Sequence, residues 1–235
     1  MINYFIYDGV NSRDFGVFIS GPGVFDAPAR SISTVTVPGR NGTLTIDNGR
    51  FENVELTYPA FIYANFKANI AGLRNFLLSG SGYRRLEDTY HPEEFMMARY
   101  TSGLEVEPTE RKKEGQFDLV FDRMPQRFLK AGEDPVELTA NGSLLNPTQF
   151  SSRPLIRVYG TGTLGVGSET IEITENPGFI DIDCEMMDAY SGAINCNGYI
   201  TLSSGEFPVL APGESGVVLG TGITKVIVTP KWWIL

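Results

Sequence analysis

Cysteine and histidine are scarce in this sequence, whose 235 residues contain two cysteines and one histidine. Cys184 and Cys196 are too few for a disulfide scaffold or a four-ligand zinc site, so we expect two reduced thiols that fill core space. His91 has no nucleophile motif with which to form a triad, and the chain lacks G-x-S-x-G, H-E-x-x-H and P-loop sequences. We therefore expect no catalytic residue, no metal and no cofactor, and we expect His91 to be a surface or interface residue.

Long hydrophobic runs are also missing. No stretch approaches the roughly 20 apolar residues that span a bilayer. Residues 1–10 lack the cationic region and the small-residue cleavage site of a signal peptide. We expect a soluble protein that is neither secreted nor bound to a membrane.

Positive charge is nearly absent from the second half of the chain. Residues 1–130 contain 15 Lys and Arg against 16 Asp and Glu, whereas residues 131–235 contain 4 against 12, within a total net charge of -9. No basic stripe runs along either half, and phosphate neutralisation supplies most non-specific affinity for nucleic acids. The sequence therefore argues against DNA binding, although an acidic surface would let a duplex pass without adhering.

Glycine and proline are plentiful, at 26 and 14 residues, which favours many short strands joined by tight turns. Residues 34–37 and 43–46 alternate threonine with valine, leucine or isoleucine, the period of a strand with one wet face. Between them, Asn41-Gly42 readily adopts the positive φ angles of hairpin turns. The pattern predicts a protruding hairpin.

One segment, residues 64–79, predicts an amphipathic helix, with Asn65 as its cap and Gly80 as its end. Four residues form its apolar stripe: Phe66, Ile70, Leu73 and Leu77. Residues 105–113 place opposite charges close together around a proline, which predicts a solvated loop. Strand signal returns at residues 116–122, where Phe117, Leu119 and Phe121 share one face.

The composition of residues 131–153 shifts to Gly, Pro, Asn, Ser and Thr, which predicts a connector with room for one short strand. Six short strands are predicted beyond it, at residues 155–159, 170–173, 180–184, 199–202, 216–219 and 224–229. We therefore predict a mainly β protein with a β domain containing one helix over residues 1–130 and a β-sandwich or jelly roll over residues 154–235.

Residues 160–165, Gly-Thr-Gly-Thr-Leu-Gly, match the G-x-G-x-x-G dinucleotide fingerprint. That site needs a helix to begin at the glycines, yet residues 166–174 are β-branched and interrupted by glycine. The motif predicts a hairpin turn.

Four carboxylates, Asp181, Asp183, Glu185 and Asp188, suggest a calcium or glycosidase site. Solvated strand charges explain the same pattern, with Ile180, Ile182 and Cys184 on the opposite core face. We favour the solvated charges and keep acid-base chemistry as an alternative.

Trp232 and Trp233 suggest either a sugar-stacking platform or a final strand that seals the fold. Because adjacent strand residues point to opposite faces, at most one of them can join the core. We favour the final strand.

Several stretches together resemble the distal tail proteins of siphophages that infect Gram-positive bacteria, a phage tail component family. They are Val37-Pro38-Gly39-Arg40-Asn41-Gly42, residues 83–88 (YRRLED), residues 115–121 (GQFDLVF) with residues 125–129 (PQRFL), residues 154–162 (PLIRVYGTG), residues 182–185 (IDCE) and residues 230–233 (PKWW). Their order and spacing extend through nearly the whole chain.

The resemblance implies a structural hub and no enzyme. It implies a tail-tube-like N-terminal domain that forms a hexameric ring, and a galectin-like C-terminal β-sandwich that projects outwards. Such a ring joins the tail tube to the tail-associated baseplate protein, carries receptor-binding proteins, and encloses a lumen through which DNA passes. The implied location is the virion tail tip, after assembly in the bacterial host cytoplasm.

Residue chemistry is compatible with this hypothesis, because a ring closes through two patches repeated around its axis and a hairpin that extends a neighbouring sheet supplies such a contact. We predict that the hairpin, with Val37, Pro38, Gly39, Arg40, Asn41 and Gly42 at its tip, is an inter-subunit arm. The alternative function is a carbohydrate-binding module for host wall glycans, with Trp232 and Trp233 as ligand contacts. The compact second domain lacks the long carbohydrate-binding insertions of some relatives, which argues against it.

Overall fold

The computed structural model describes residues 2–63, 65–108 and 114–235. It divides into two compact units, Met1–Arg127 together with Leu235, and Phe128–Ile234. Within the described ranges both units are built mainly from strands, and α1 (Phe66–Leu78) is the one α-helix. The predicted fold class, mainly β with one helix in the first part and a β-sandwich in the second, is confirmed.

The first unit contains one large antiparallel sheet, one hairpin and α1. Its strands are β1 (Phe5–Tyr7), β2 (Val10–Asn11), β3 (Val17–Ile19), β4 (Arg30–Thr36), β5 (Thr43–Phe51), β6 (Val54–Tyr63), β7 (Arg84–Asp88), β8 (Glu94–Tyr100), β9 (Glu107–Pro108) and β10 (Glu114–Leu129), whose last two residues belong to the second unit. The large sheet has the order β2-β1-β7-β8-β10-β6-β3, and β9 pairs with β10. A 3-10 helix, Ser12–Phe15, joins β2 to β3.

The core of the first unit follows from the alternation along β10. Phe117, Leu119 and Phe121 are buried, as predicted, while the residues between them are exposed or half-buried. The strand is much longer than residues 116–122, because it pairs with β6 over ten positions and continues to Leu129. The buried residues of this core are Phe5, Tyr7, Val17, Ile19, Leu56, Tyr58, Ala60, Ile62, Leu73, Leu77, Leu86, Met96, Ala98, Tyr100, Phe117, Leu119 and Phe121.

Helix α1 packs its predicted stripe on this core, with Leu73 and Leu77 fully buried. Asn65 occupies the N-cap position, as predicted, but it adopts a left-handed conformation (φ 47°, ψ 34°) and its side chain makes no capping hydrogen bond. The helix ends one residue before Ser79, whose hydroxyl donates to the Phe76 carbonyl at 2.8 Å. Ala64, the first residue of the predicted helix, lies outside the described residues.

The second unit is a β-sandwich. Its strands are β11 (Val136–Leu138), β12 (Gly142–Asn146), β13 (Leu155–Gly160), β14 (Gly162–Val166), β15 (Glu169–Ile173), β16 (Ile180–Asp183), β17 (Asp188–Ser191), β18 (Ile194–Asn195), β19 (Ile200–Leu202), β20 (Gly213–Leu219), β21 (Ile223–Thr229) and β22 (Trp233–Ile234), with 3-10 helices at Lys130–Gly132 and Asn197–Tyr199. One sheet has the order β11-β21-β13-β16-β17-β18 and the other β12-β20-β14-β15-β19. All six strands predicted beyond residue 154 are present.

Residues 131–153 contribute a strand to each sheet of the sandwich. β11 pairs with β21, and β12 pairs with β20. These residues therefore form two sheet strands, where their polar, glycine-rich composition predicted at most one. The predicted division of the chain into domains at residues 1–130 and 154–235, with a connector between them, stays a prediction. Of the predicted loop at residues 105–113, β9 forms part, and residues 109–113 lie outside the described residues.

The glycine-rich motif at residues 160–165 is a crossing between the two sheets, because β13 and β14 belong to different sheets. The predicted hairpin turn is therefore wrong. Gly160 and Gly162 adopt φ angles of 96° and 130°, and a Cβ at either position would collide with a carbonyl oxygen of Thr221 or Gly222. The strand β14 begins within the motif, at Gly162, so no helix begins there to bind a dinucleotide.

In the part of the chain described by the structure, α1 has 13 residues, and no helix has the length and apolar character of a membrane span.

Candidate functional site

The hairpin of β4 and β5 is a separate two-stranded sheet. Its register places Val35 opposite Leu44 and Ser33 opposite Ile46, with an irregularity near the base. The predicted hairpin is confirmed and is longer than residues 34–46, since β4 begins at Arg30 and β5 ends at Phe51. Among the described residues, β4 and β5 pair only with each other, so each strand has an unpaired outer edge.

The hairpin tip, residues 37–42, contains a turn closed by the Arg40 N–H, which donates to the Val37 carbonyl at 3.2 Å. Pro38 and Gly39 occupy the second and third positions, and Gly39 has a φ of 79°, as a type II turn requires. Gly42 also has a positive φ, of 81°. The hydrogen-bonded turn therefore lies at Pro38-Gly39, one dipeptide earlier than the predicted Asn41-Gly42 turn.

Pairing within the hairpin places three of its exposed apolar side chains on one face, and Ile32, 51% exposed, lies on the opposite face. Val35, Leu44 and Ile46 share one face, which we call the apolar face of the hairpin, and they are 46%, 41% and 54% exposed. The opposite face, which we call the threonine face, contains Thr34, Thr36, Thr43 and Thr45. A two-stranded hairpin with an open apolar face is marginally stable alone in water, so this element favours a further surface to pack against.

Polar contacts hold the base of the hairpin. Arg30 Nη1 donates to Asp47 Oδ2 at 2.8 Å, and the Asn48 amide donates to the Ser31 hydroxyl at 3.2 Å. The pKa of Asp47 is lowered, first by the hydrogen bond from the Gly49 N–H and then by Arg30. The contacts at the base are thus polar ones, and they leave the apolar face uncovered.

A groove of about 790 Å³ lies on the outer face of β6 and β10, and it is a feature that the sequence patterns do not predict. The strand register places Pro59 opposite Asp118 and Phe61 opposite Gln116. The residues that line it are Ser20, Pro59, Ala60, Phe61, Ser102, Gly103, Glu105, Val106, Glu107, Gln116, Phe117, Asp118 and Val120. Period-2 patterning marks these strands, but no local signal pairs residues nearly 60 positions apart.

Trp232 and Trp233 lie in different environments, and the last strand, β22, begins at Trp233. Trp232 is 6% exposed and belongs to the sandwich core. Trp233 stacks on Phe150 with ring centres 4.4 Å apart, and its Nε1 donates to the Ser151 carbonyl at 3.0 Å. A sugar could reach Trp232 only by opening the core, so the candidate ligand contact reduces to Trp233.

The carboxylates near Asp181 make structural contacts. Arg157 binds Asp181 through two hydrogen bonds of 2.6 and 2.7 Å, which raise the pKa of Arg157. Asp183 accepts from the backbone N–H groups of Glu185 and Met186. Because Asp181 and Asp183 are 5% and 7% exposed, the prediction of solvated strand charges is wrong for both.

Asp188 accepts from the Asn197 amide at 2.6 Å, while Glu185 is exposed beyond the end of β16. Ile180, Ile182 and Cys184 fill the core, as predicted. Within the described ranges, no three His, Cys, Asp or Glu side chains are grouped so as to hold a metal ion.

His91 belongs to a polar cluster in the first unit. Its Nδ1 lies 3.3 Å from Asp88 Oδ1, and its side chain is 15% exposed, less than expected for a surface residue. The Tyr58 hydroxyl donates to the other oxygen of Asp88 at 2.5 Å. Burial, with a smaller contribution from Asp88, raises the pKa of Tyr58 well above its ordinary value. Such contacts are those of a structural core cluster.

Two buried arginines lie near this cluster on β10. Arg127 Nε donates to Glu94 at 2.6 Å, and Arg123 Nη2 donates to the Asp26 carbonyl at 2.9 Å. Burial, followed by repulsion from Arg127, lowers the pKa of Arg123. These hydrogen bonds link the chain segments around Asp26 and Glu94 to β10.

No protein-family model matches this sequence, and no curated protein matches it. Among solved structures, the chain is similar to the crystal structure of the Dit protein of phage SPP1, "a Paradigm of Hub Adsorption Apparatus in Gram-positive Infecting Phages". That similarity covers 100% of both chains, with a TM-score of 0.73 and 14% sequence identity. This chain has the fold of a Dit-like distal tail protein.

The Dit-like fold also occurs in two structures of the phage P2 baseplate in its activated conformation. With Ca, the TM-score is 0.53 at 9% identity, and with Sr it is 0.52 at 10% identity. Both similarities cover 97% of this chain and 98% of the other. The family resemblance predicted from the sequence motifs is thus confirmed in the fold, which is that of phage hub and baseplate proteins.

Within the Dit-like fold, the six residues predicted as the tip of an inter-subunit arm, from Val37 to Gly42, do lie at the tip of the hairpin. Their contact with another subunit stays a prediction. The same holds for Trp233 as a ligand contact. The structure adds the groove on β6 and β10, which lies on the same unit as the hairpin.

Proposed function

We propose that this protein is a structural hub of a siphophage tail tip. Six copies form a ring through their first units, joining the tail tube to the tail-associated baseplate protein and to receptor-binding proteins, with a lumen for DNA. The hub works at the virion tail tip after assembly in the host cytoplasm, and it catalyses no reaction. The observation that carries this proposal is an exposed hairpin with an uncovered apolar face, on a chain of Dit-like fold.

The hairpin supplies the energy for association. Its three apolar side chains are about half exposed, and covering each one contributes about 1 kcal/mol. The unpaired outer edges of β4 and β5 add backbone hydrogen bonds when they extend a neighbouring sheet. A contact between two different patches repeats from copy to copy, and it closes a ring when the rotation permits.

The charge of the protein supports passage of DNA without binding. Residues 1–130, which include nearly all of the proposed ring-forming unit, contain 15 Lys and Arg against 16 Asp and Glu, so that part of the chain has no excess of positive charge to present to phosphates. The arginines on β10 that could have formed a basic stripe, Arg123 and Arg127, are 1% and 7% exposed. They are therefore withdrawn from any surface that DNA could touch.

Electron microscopy of the purified protein tests this proposal. We expect closed rings with a central hole, either for the protein alone or after co-expression with the tail tube protein. Particles without a hole in both preparations, at concentrations where the protein is fully folded, would contradict the proposal.

The second candidate function, a carbohydrate-binding module, is favoured by one observation, a tryptophan outside the core. Trp233 stacks on Phe150 and is half-buried. A glycan array tests it, because selective binding should be lost in Trp233→Ala while the circular dichroism spectrum is unchanged. Binding that survives this substitution, or no binding at all, argues against this candidate.

A further inference from the structure

We propose that the groove on β6 and β10 receives the hairpin tip of a second copy of this chain. Arg40 of one copy pairs there with the carboxylates Glu105, Glu107 and Asp118 of the next. The inference rests on the proposed ring, and it names the two patches that repeat around the axis.

The groove has both the space and the chemistry for a hairpin tip. Its volume of about 790 Å³ lies within the range of grooves that bind small ligands and peptide segments. Phe61 gives it an apolar wall, and this ring stacks on Phe18 with centres 5.7 Å apart. Glu105, Glu107 and Asp118 are exposed at its lining, and none has an ion-pair partner among the residues that the structure describes.

The hairpin carries its free positive charge at the tip. Arg30 pairs with Asp47 at 2.8 Å, and Arg50 pairs with Glu52 at 3.3 Å. Arg40, in contrast, is exposed and has no ion pair within the described ranges. Among the described residues, the groove thus has three carboxylates without an ion pair and the arm has one such guanidinium at its tip, which makes the two surfaces complementary in charge.

The occupant is a second copy because the hairpin of one chain does not enter its own groove. No residue of β4, β5 or the tip lines it. The hairpin leads into the start of β6 through Glu52 and Asn53. The groove lies farther along β6, at residues 59–61. β5 itself spans about 30 Å, so the tip extends far from that junction.

Arg40 sets the register of this contact, and the apolar face supplies most of its affinity. Exposed ion pairs add little affinity but align the partners and speed their encounter. We therefore expect association to weaken as salt concentration rises, without being abolished.

Cross-linking between separately purified variants tests the docking directly. Asn41→Cys places a thiol at the tip, and Gln116→Cys places one in the groove. The native thiols of Cys184 and Cys196 are 1% and 0% exposed, so they contribute little background. With a short bis-maleimide, we expect covalent dimers when the two variants are mixed, and none when Asn41→Cys is mixed with the control Arg74→Cys, an exposed position of α1.

The mass of the same samples separates failure of the docking from failure of the ring. Oligomers without cross-linked dimers would overturn the docking and leave the proposed ring standing. Monomers without dimers would overturn both. Equal yields of dimer with Gln116→Cys and with Arg74→Cys would also overturn the docking.

A charge exchange tests the role of Arg40. We expect Arg40→Glu to weaken association about tenfold or more, because it brings like charges together, and we expect Arg40→Glu with Asp118→Arg to recover most of the loss. Arg74→Glu makes the same change of charge elsewhere and should associate normally. Normal association of Arg40→Glu, or no recovery in the double variant, would overturn this pairing, with circular dichroism confirming that each variant is folded.

Discussion

Gly162 lies where the backbone of residues 160–162 comes close to that of residues 221–222. An added Cβ there would collide with the Thr221 carbonyl oxygen, whereas Gly178, with a φ of 133° close to the 130° of Gly162, has open space around its Cβ position. Alanine at either site pays about 1–2 kcal/mol of backbone strain. We predict that Gly162→Ala lowers the free energy of unfolding by about 1–3 kcal/mol more than Gly178→Ala does.

Urea unfolding followed by tryptophan fluorescence measures this difference. Trp232 and Trp233 are the chain's two tryptophans, and both lie in the sandwich unit, so the signal reports that unit. Equal unfolding midpoints for the two alanine variants would show that the two backbone segments do not come close as described.

Cys184 makes the sandwich sensitive to alkali. Burial raises the pKa of its thiol to about 12, from an ordinary 9.0. Above pH 9 the unfolded chain loses this proton before the folded chain does, so the free energy of unfolding falls as pH rises, by at most about 1.4 kcal/mol per pH unit. We predict that Cys184→Ala flattens this decline between pH 9 and 10, as measured by urea unfolding at each pH.

The substitution also removes packing, but that loss shifts the stability at every pH equally and leaves the slope unaffected. A variant with the same slope as the natural protein would contradict the raised pKa. Burial also raises the pKa values of Cys196 and Tyr190 in the same unit, so both contribute to the slope that remains.

Burial of charge on β10 could not be predicted from the sequence. The alternation of Phe117, Leu119 and Phe121 identifies the strand and its core face, and the same period continues to Arg123 and Arg127. Composition alone would place these arginines in solvent. Their hydrogen-bond partners, the Asp26 carbonyl and Glu94, lie 97 and 33 positions away in the sequence. No local pattern predicts these pairings.

Substitutions on the two faces of the hairpin can show which face contacts another subunit, because the faces differ in their side chains. Leu44 lies on the apolar face, and its neighbour Thr45 lies on the threonine face. We predict that Leu44→Glu abolishes self-association at concentrations where the natural protein is assembled, because a charge on this face cannot be buried against a neighbour. Light scattering measures the mass of each variant.

Thr45→Glu is the matched control, since it places the same charge one residue away on the same strand. It should weaken association less than Leu44→Glu does. At concentrations too low for assembly, the melting temperature of both variants should stay near that of the natural protein, because both sites are exposed. If Leu44→Glu assembled as well as Thr45→Glu, the apolar face would not be the contact surface.

At the level of elements, strands with clear alternation could be predicted and strands formed by distant pairing could not. The hairpin, α1 and the six strands of the second half carry strong local patterns. β11 and β12 lie in a glycine- and asparagine-rich stretch, and they form because β21 and β20, whose paired residues lie 67 to 92 positions later, offer them edges. The crossing at residues 160–165 has the glycine content of a hairpin turn. The local sequence does not show that β13 and β14 pair with distant strands in different sheets.

Each of the two units has its own hydrophobic core. The buried residues of the first core lie between Phe5 and Phe121, and those of the second between Leu144 and Trp232. We predict two separate unfolding transitions in calorimetry of the whole chain, and cooperative unfolding of residues 128–235 expressed alone. A single transition for the whole chain, with a fragment that unfolds without cooperativity, would contradict independent folding.

At the scale of the whole molecule, the sequence predicted the fold class and the Dit-like architecture through scattered motifs. It did not predict the groove, because that surface exists only once β6 and β10 are paired. The arm is therefore predicted from the local sequence, whereas the groove that we propose as its receptor is found only in the folded sheet.

The most direct test of ring formation is the mass of the purified protein over a range of concentrations, measured by native mass spectrometry or light scattering. The account predicts a dominant species at six times 25.9 kDa, which dissociates in Leu44→Glu. A natural protein that stays at 25.9 kDa at every concentration, both alone and with the tail tube protein, would contradict it.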